Sequence, residues 1–592
     1  MKAKNSALRY RRSFTVLTSA VLALSANAPL GAATKTWNTT SGSLSASGSW
    51  SLTGTPATTD EALFDGTVTP AASINTAAGT NLTFGDLIWN NNTSSTLQMN
   101  TSSNSTSQLR LSGLGGSMAA IAAGGATGDL LLMGTNATNN TLTISAVNLG
   151  IGTAQLRPRL DASGNFNVVN SGATLSIQTE ISESGARTLT KTGAGQLILG
   201  NANTFTGGVV LNAGTIAVGS STALGGGGLT INAGTIGSVT STRTLANNVT
   251  VGGNFALGLG AGGQSINLNG TTDLGNAVRS ITLNNSATFN GIISNGGLNV
   301  TDPLGTRTLT LAGDNTYSGG TTINSGTLRV NNTTGSGTGS GNVTIAAGAA
   351  LGGNGTISGS VTASGATLGI VNSTLTVSGS LFTSATTTFV SGATINVSGS
   401  TAVSSGNFTV NGSLGGGALN VSGTAILRGN GTVSGATTVA SGAFIAPGNS
   451  PGNITFNNAL TLAGTYNWEL AALSTSGPGT NFDTITVTAG NVDITGASMN
   501  LILGAFAPSA DPFWTSNQIW SGIINNSGLG SIAGTFGIID NTSWSTFGAF
   551  TTAINNNDVN LVWTAIPEPS SYAVLAGFGA LGLAALRRRR QS

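Results

Sequence analysis

Glu180 and Glu183, in "TEISESGAR" with Arg187 close behind, are the nearest approach to a catalytic constellation in this 592-residue chain. A paired acid/base site needs two carboxyls roughly 5–9.5 Å apart. A spacing of three on an extended strand puts them on opposite faces, so a shared site needs a turn between them. The alternative is a solvated surface pair. Asp60, Glu61 and Asp65 are near enough in sequence to offer oxygen ligands to a hard cation, or to cap the turns they sit in. Between Arg329 and Glu469 the only charged residue is Arg428, so no carboxylate pair comes from that stretch. The chain has no histidine and no cysteine. Ser-His-Asp and Cys-His nucleophiles are therefore impossible, as are zinc sites built on those ligands. The pattern GxxxxGK(S/T) is absent, and the glycine clusters read as turns rather than phosphate cradles. No catalytic residue, metal ligand or cofactor is expected.

The elements that would carry any site are short strands. Charged residues make up 6% of the chain, against about 25% in an ordinary soluble domain. Glycine supplies 89 positions. Disorder goes with high net charge and few β-branched residues, whereas this chain is rich in short runs of Val, Ile, Leu and Thr. Stretches such as "LTLAG", "TTINSG" and "TLRVN" show the two-residue alternation of a pleated surface. Asn-Gly, Gly-Gly and Ser-Gly pairs between them supply positive-φ corners.

The strands recur in a repeat. "LILGNANTFTGGVVLNAGTIAV" (197–218) aligns without a gap on "LTLAGDNTYSGGTTINSGTLRV" (309–330). Looser relatives follow at 341–368 and 423–452. Three tryptophans (Trp37, Trp50, Trp89) lie at one end and five (Trp468, Trp514, Trp520, Trp544, Trp563) at the other. Small residues between bulky ends are what a stacked repeat with capped termini requires. At about 20 residues per turn, residues 90–450 make roughly 18 rungs and, at about 4.8 Å each, a rod of roughly 85 Å.

The termini carry a different signal. "MKAKNSALRYRR", then "FTVLTSAVLAL", then small residues, has the order of an export signal with cleavage after Ala28 or Ala33. Pro567, Glu568 and Pro569 precede an apolar run, Tyr572 to Leu586, and four arginines, Arg587, Arg588, Arg589 and Arg590. Those 15 residues make a helix of about 22 Å, short of the ~30 Å hydrocarbon core. The run is thus a transient anchor rather than a good permanent one, with its arginines held cytoplasmic. Between the termini acidic residues outnumber basic ones, which speaks against a nucleic-acid partner.

Two families are recognisable in these motifs. The repeat resembles the autotransporter-associated β-strand repeat, carried by Gly313, Asn315, Thr316, Tyr317, Gly319, Gly320, Asn324, Gly326, Thr327 and Leu328. The same signature falls on Gly200, Asn203, Thr204, Phe205, Gly207, Gly208, Asn212, Gly214, Thr215 and Ile216. The C-terminal tripeptide, apolar run and arginine cluster resemble the PEP-CTERM sorting signal. That resemblance implies recognition by an exosortase, a membrane-embedded cysteine protease, during delivery to the cell surface or extracellular matrix. The shared element with autotransporters is the repeat alone, since the residues after 450 do not supply the eight or more long strands of a membrane barrel.

The expected fold is all-β: a right-handed parallel β-helix with aromatic-rich caps, a helical signal peptide and a C-terminal hydrophobic helix. Its divisions are 1–33 (signal), 34–90 (N-terminal module), 91–452 (solenoid), 453–563 (C-terminal module) and 566–592 (sorting segment). The expected function is a non-enzymatic structural or adhesive role at the cell surface or in the matrix. Signal peptidase and exosortase are the expected partners in export, with extracellular polysaccharide or sister copies beyond, and membrane contact through 572–586. The alternatives are a carbohydrate-active β-helix of the lyase or hydrolase kind, and a surface protein held by an uncleaved membrane anchor.

Overall fold

The computed structural model describes residues 33–589 apart from short stretches, of which 100–105 and 113–127 are the longest, and describes 153–528 without a break. The chain winds into a three-faced parallel β-solenoid. Val249–Val251, Phe255–Leu257 and Ile266–Leu268 form one turn, and each pairs in parallel with the chain one turn on. The inward positions of successive turns stack in columns. Leu142, Leu175, Leu197, Ile216, Ile236, Leu257 and Leu283 are register partners in sequence along the second face, and all are fully buried. Each such side chain contributes about 1.5–3 kcal/mol by leaving water, and alternation sends the residues between them outward.

The repeat is one turn long, and its motif residues explain why. Asn203 and Asn315 point into the bore and each joins three rungs. The Asn203 Oδ1 accepts from the Ile181 N–H at 2.8 Å, and its Nδ2 donates to the Ala223 carbonyl at 2.5 Å. Asn315 does the same with Ile293 (2.7 Å) and Gly337 (2.6 Å). The aromatic two residues on, Phe205 or Tyr317, is fully buried beside it. Gly214 and Gly326 turn the following corner at φ +69° and +81°. A Cβ on Gly214 would lie 2.4 Å from the carbonyl oxygens of Gly193 and Gly195, so both conformation and space demand glycine. The two copies start on different faces. Residues 196–199 belong to the second face, and 308–311 to the third. A motif one rung long can begin at any corner.

Second-face strands number sixteen between Ser95–Met99 and Thr437–Val439 among the described residues, fewer than the roughly 18 rungs expected from a 20-residue turn. The difference lies near the N-terminus, where Ser95 pairs with Leu142 and Thr141 with Thr174. There the third face carries longer strands, Thr106–Leu111 and Thr153–Leu160, so each turn consumes more chain.

Both ends are filled by aromatic rings. Trp37, Trp50, Phe64, Phe84 and Trp89 pack with centroids 4.8–6.2 Å apart, and the strands that carry Phe64 and Trp89 belong to the same long sheet as the central rungs. At the other end an antiparallel hairpin, Gly548–Asn555 with Asp558–Ala565, lies against Gln518–Asn526. Trp514, Trp520, Phe550 and Trp563 pack together at this end. Antiparallel pairing there ends the parallel stack of this face and leaves Gly548–Asn555 as its edge strand.

Beyond the hairpin a helix spans Pro569–Arg588. Three glycines interrupt its apolar run and its last turn is arginine, and no helix among the described residues is long and apolar enough to cross a membrane. The expected C-terminal hydrophobic helix through 572–586 lies within Pro569–Arg588. The expected signal-peptide helix lies outside the described residues.

Candidate functional site

The broadest surface on offer is the set of outward ladders. On the third face Thr308, Thr327, Ala350, Thr367, Thr388 and Thr409 are successive register partners ending at Arg428. On the second, Asn299, Thr322, Thr344, Thr362, Phe382, Ala402, Asn420 and Thr438 follow one another in the same way. Corner asparagines bond rung to rung, as in Asn232 to Asn212 at 2.8 Å and Asn324 to Asn299 at 2.9 Å. Apart from Arg329 and Arg428 on the third face, the result is a straight array of hydroxyls and amides at the ~4.8 Å strand spacing.

The acidic residues singled out from the sequence are engaged separately. Glu180 pairs with Arg157 at 2.6 Å and accepts from Thr204. Glu183 accepts from the Thr206 hydroxyl and N–H and from the Arg187 N–H. Burial pushes the Glu183 carboxyl up, but those hydrogen bonds outweigh it and hold it below the ordinary range. Asp60 caps a turn by accepting from the Ala57 and Ala33 N–H groups, and lies 3.7 Å from the Lys35 amine. Glu61 accepts from the Thr34 hydroxyl, and Asp65 directly follows the Glu61–Phe64 strand. Among the described residues no group of three His, Cys, Asp or Glu is placed to hold a metal.

Ala33 opens the first rung, its carbonyl accepting from the Glu61 N–H at 3.0 Å. Ala28, Pro567, Glu568 and Arg590 lie outside the described residues. Pro569 begins the C-terminal helix, and Arg587, Arg588 and Arg589 are exposed at its far end.

Six buried charged positions escaped the sequence reading, namely Lys35, Asp86, Asp129, Lys191, Asp302 and Asp483, and burial shifts three of them far from their ordinary values. Lys191 is fully buried and stacks in register between Phe166 and Leu211. Its amine donates to the carbonyls of Thr192, Gly193 and Ala213, and burial holds it down to about 7. Asp86 is the register partner of Glu61, and burial, then repulsion from Glu61 and Asp129, pushes it up to about 7. Asp483 sits under the C-terminal cap, accepting from the Gly452 and Glu469 N–H groups, and burial also pushes it up to about 7. The signal for Lys191 was present: in "LTKT" it occupies the inward phase set by Leu189.

Comparison with known proteins agrees with the motifs. Residues 189–218 and 304–330 match the passenger-associated-transport-repeat, and 565–590 match the PEP-CTERM protein-sorting motif. The chain is 33% identical over 172 residues to the adhesin BmaC autotransporter of Brucella suis biovar 1 (strain 1330). That match covers 28% of this chain and 4% of the adhesin, so the two share a segment rather than an architecture. The protein is an all-β parallel solenoid that carries autotransporter-associated repeats and a PEP-CTERM sorting motif.

Proposed function

We propose that the protein is an exported, non-enzymatic rod that adheres at the cell surface or in the extracellular matrix through many weak contacts. The observation that carries this reading is the pair of long, charge-poor hydroxyl and amide ladders, set on a scaffold whose repeats are those of a passenger and whose tail carries a sorting motif. Such a surface suits extracellular polysaccharide or sister rods, because each rung offers one modest hydrogen bond and the rungs add. In this reading signal peptidase removes the segment up to Ala28 or Ala33. An exosortase acts at Pro567-Glu568-Pro569, with the arginines from Arg587 to Arg590 holding the tail during processing. The helix at 569–588 then serves as a temporary hold on the membrane.

Intact mass of the protein from cells and from cell-free matrix tests the reading, with wild type set beside a triple variant, Pro567→Ala, Glu568→Ala and Pro569→Ala. Mature matrix protein should lack both the N-terminal segment and the residues beyond the tripeptide, while the variant stays with the membrane. Wild type that keeps "LRRRRQS" and never leaves the membrane refutes it.

A further inference from the structure

One position breaks the second-face ladder. Phe382 stands where its neighbours one and two rungs before, Thr362 and Thr344, carry hydroxyls, and its ring is 44% exposed. A large aromatic on an open, flat sheet face gains little from folding, because nearly half of it stays in water. Beside it a groove of about 180 Å³ is lined by Thr362, Phe382, Thr383, Ser384, Ser404 and Ser422. Strand alternation turns Thr383 into the core, so the outward hydroxyls around the ring are those of Thr362, Ser384, Ser404 and Ser422.

We propose that this groove binds one ring of a neutral polysaccharide, stacked on Phe382 and hydrogen-bonded by the surrounding hydroxyls. The proposal rests on the adhesive reading above and names the ligand class at one site. The volume fits a single ring, since drug-sized ligands take about 300–1,000 Å³. Neutrality follows from the lining, which contains no ionisable side chain. The two arginines of this part of the rod, Arg329 and Arg428, belong to the third face. An apolar ring face with rim hydroxyls matches the apolar face and equatorial hydroxyls of a pyranose. It has nothing to neutralise a uronate or a sulfate.

Native electrophoresis of the exported chain through gels containing hydroxyethyl cellulose, a neutral probe, or alginate, an anionic one, tests this. Wild type should be retarded by hydroxyethyl cellulose and run free in alginate. Phe382→Thr restores the ladder residue and should weaken retardation about tenfold, a change of ~1.4 kcal/mol. Ser384→Ala, which removes an exposed hydroxyl of the groove, should also weaken binding while leaving the thermal midpoint unchanged. Lost retardation at unchanged thermal stability separates a ligand-binding role from a structural one. Retardation of Phe382→Thr equal to wild type, or retardation by alginate alone, overturns the site and leaves the adhesive reading standing. A wild-type chain that runs free in both gels also overturns the site. The adhesive reading then falls as well only if rods fail to associate with one another in sedimentation.

Discussion

Replacing Lys191 by methionine should abolish a pH dependence of stability that the wild-type bore imposes. The amine is fully buried between Phe166 and Leu211 and held down to about 7, against 10.5 in the unfolded chain. The unfolded chain therefore keeps a proton between those values that the folded chain has lost. Stability is full above about 10.5 and falls as the pH drops toward 7. At 1.36 kcal/mol per unit the whole window is about 5 kcal/mol, and the step from pH 9 to 7 is about 2.7 kcal/mol. Urea denaturation followed by far-UV circular dichroism at pH 7 and pH 9 reads that step directly. Wild type should be harder to unfold at pH 9, and Lys191→Met should unfold at the same urea concentration at both. The absolute stability of the variant is a poorer readout. Methionine removes the cost of the buried amine but also three hydrogen bonds to Thr192, Gly193 and Ala213, worth about 1 kcal/mol each. Tyr317 and Tyr466 are pushed up by burial and do not titrate in the interval. A variant that keeps the wild-type slope, or a wild type with none, refutes the assignment.

On the acid side the sign reverses. Asp86 and Asp483 are each pushed up to about 7 from 3.8, so their contribution is full below about pH 4 and is lost as the pH rises to 7. Wild type should thus be least stable near pH 7, and Asp86→Asn should flatten part of the acid limb in the same urea assay, Asp483 retaining the rest. Asn315→Ala should cost about 2–4 kcal/mol by leaving the buried Ile293 N–H and Gly337 carbonyl unmatched. Hydrogen exchange should then show faster opening at residues 293 and 337 than at the intact Asn203 clamp.

The repeat at 309–330 was legible because its strands alternate and its turns need Asn and Gly at fixed offsets. The stacked leucines from Leu142 to Leu283 follow from the same alternation. The gapless alignment anchored on Leu197 is the physical one, since Leu199 and Leu311 both end strands that lead to the inward asparagine. Rung number was overestimated because nothing in the residues near Thr106–Leu111 announces that those turns take in more chain. The groove at Phe382 was not legible. A single phenylalanine among threonines shows no period, and the hydroxyls around it come from rungs some 20 residues apart.

The hydrogen bonds between rungs run along the axis of the rod, and that fixes its response to tension. A pull between the two ends loads those bonds in series, so the weakest terminal rung peels while the rest stay folded. A rung of about 20 residues releases roughly 65 Å of slack as it extends, replacing about 4.8 Å of folded length. A tethered rod of this kind yields under load one rung at a time and lengthens by steps before its attachments are asked to carry the full force.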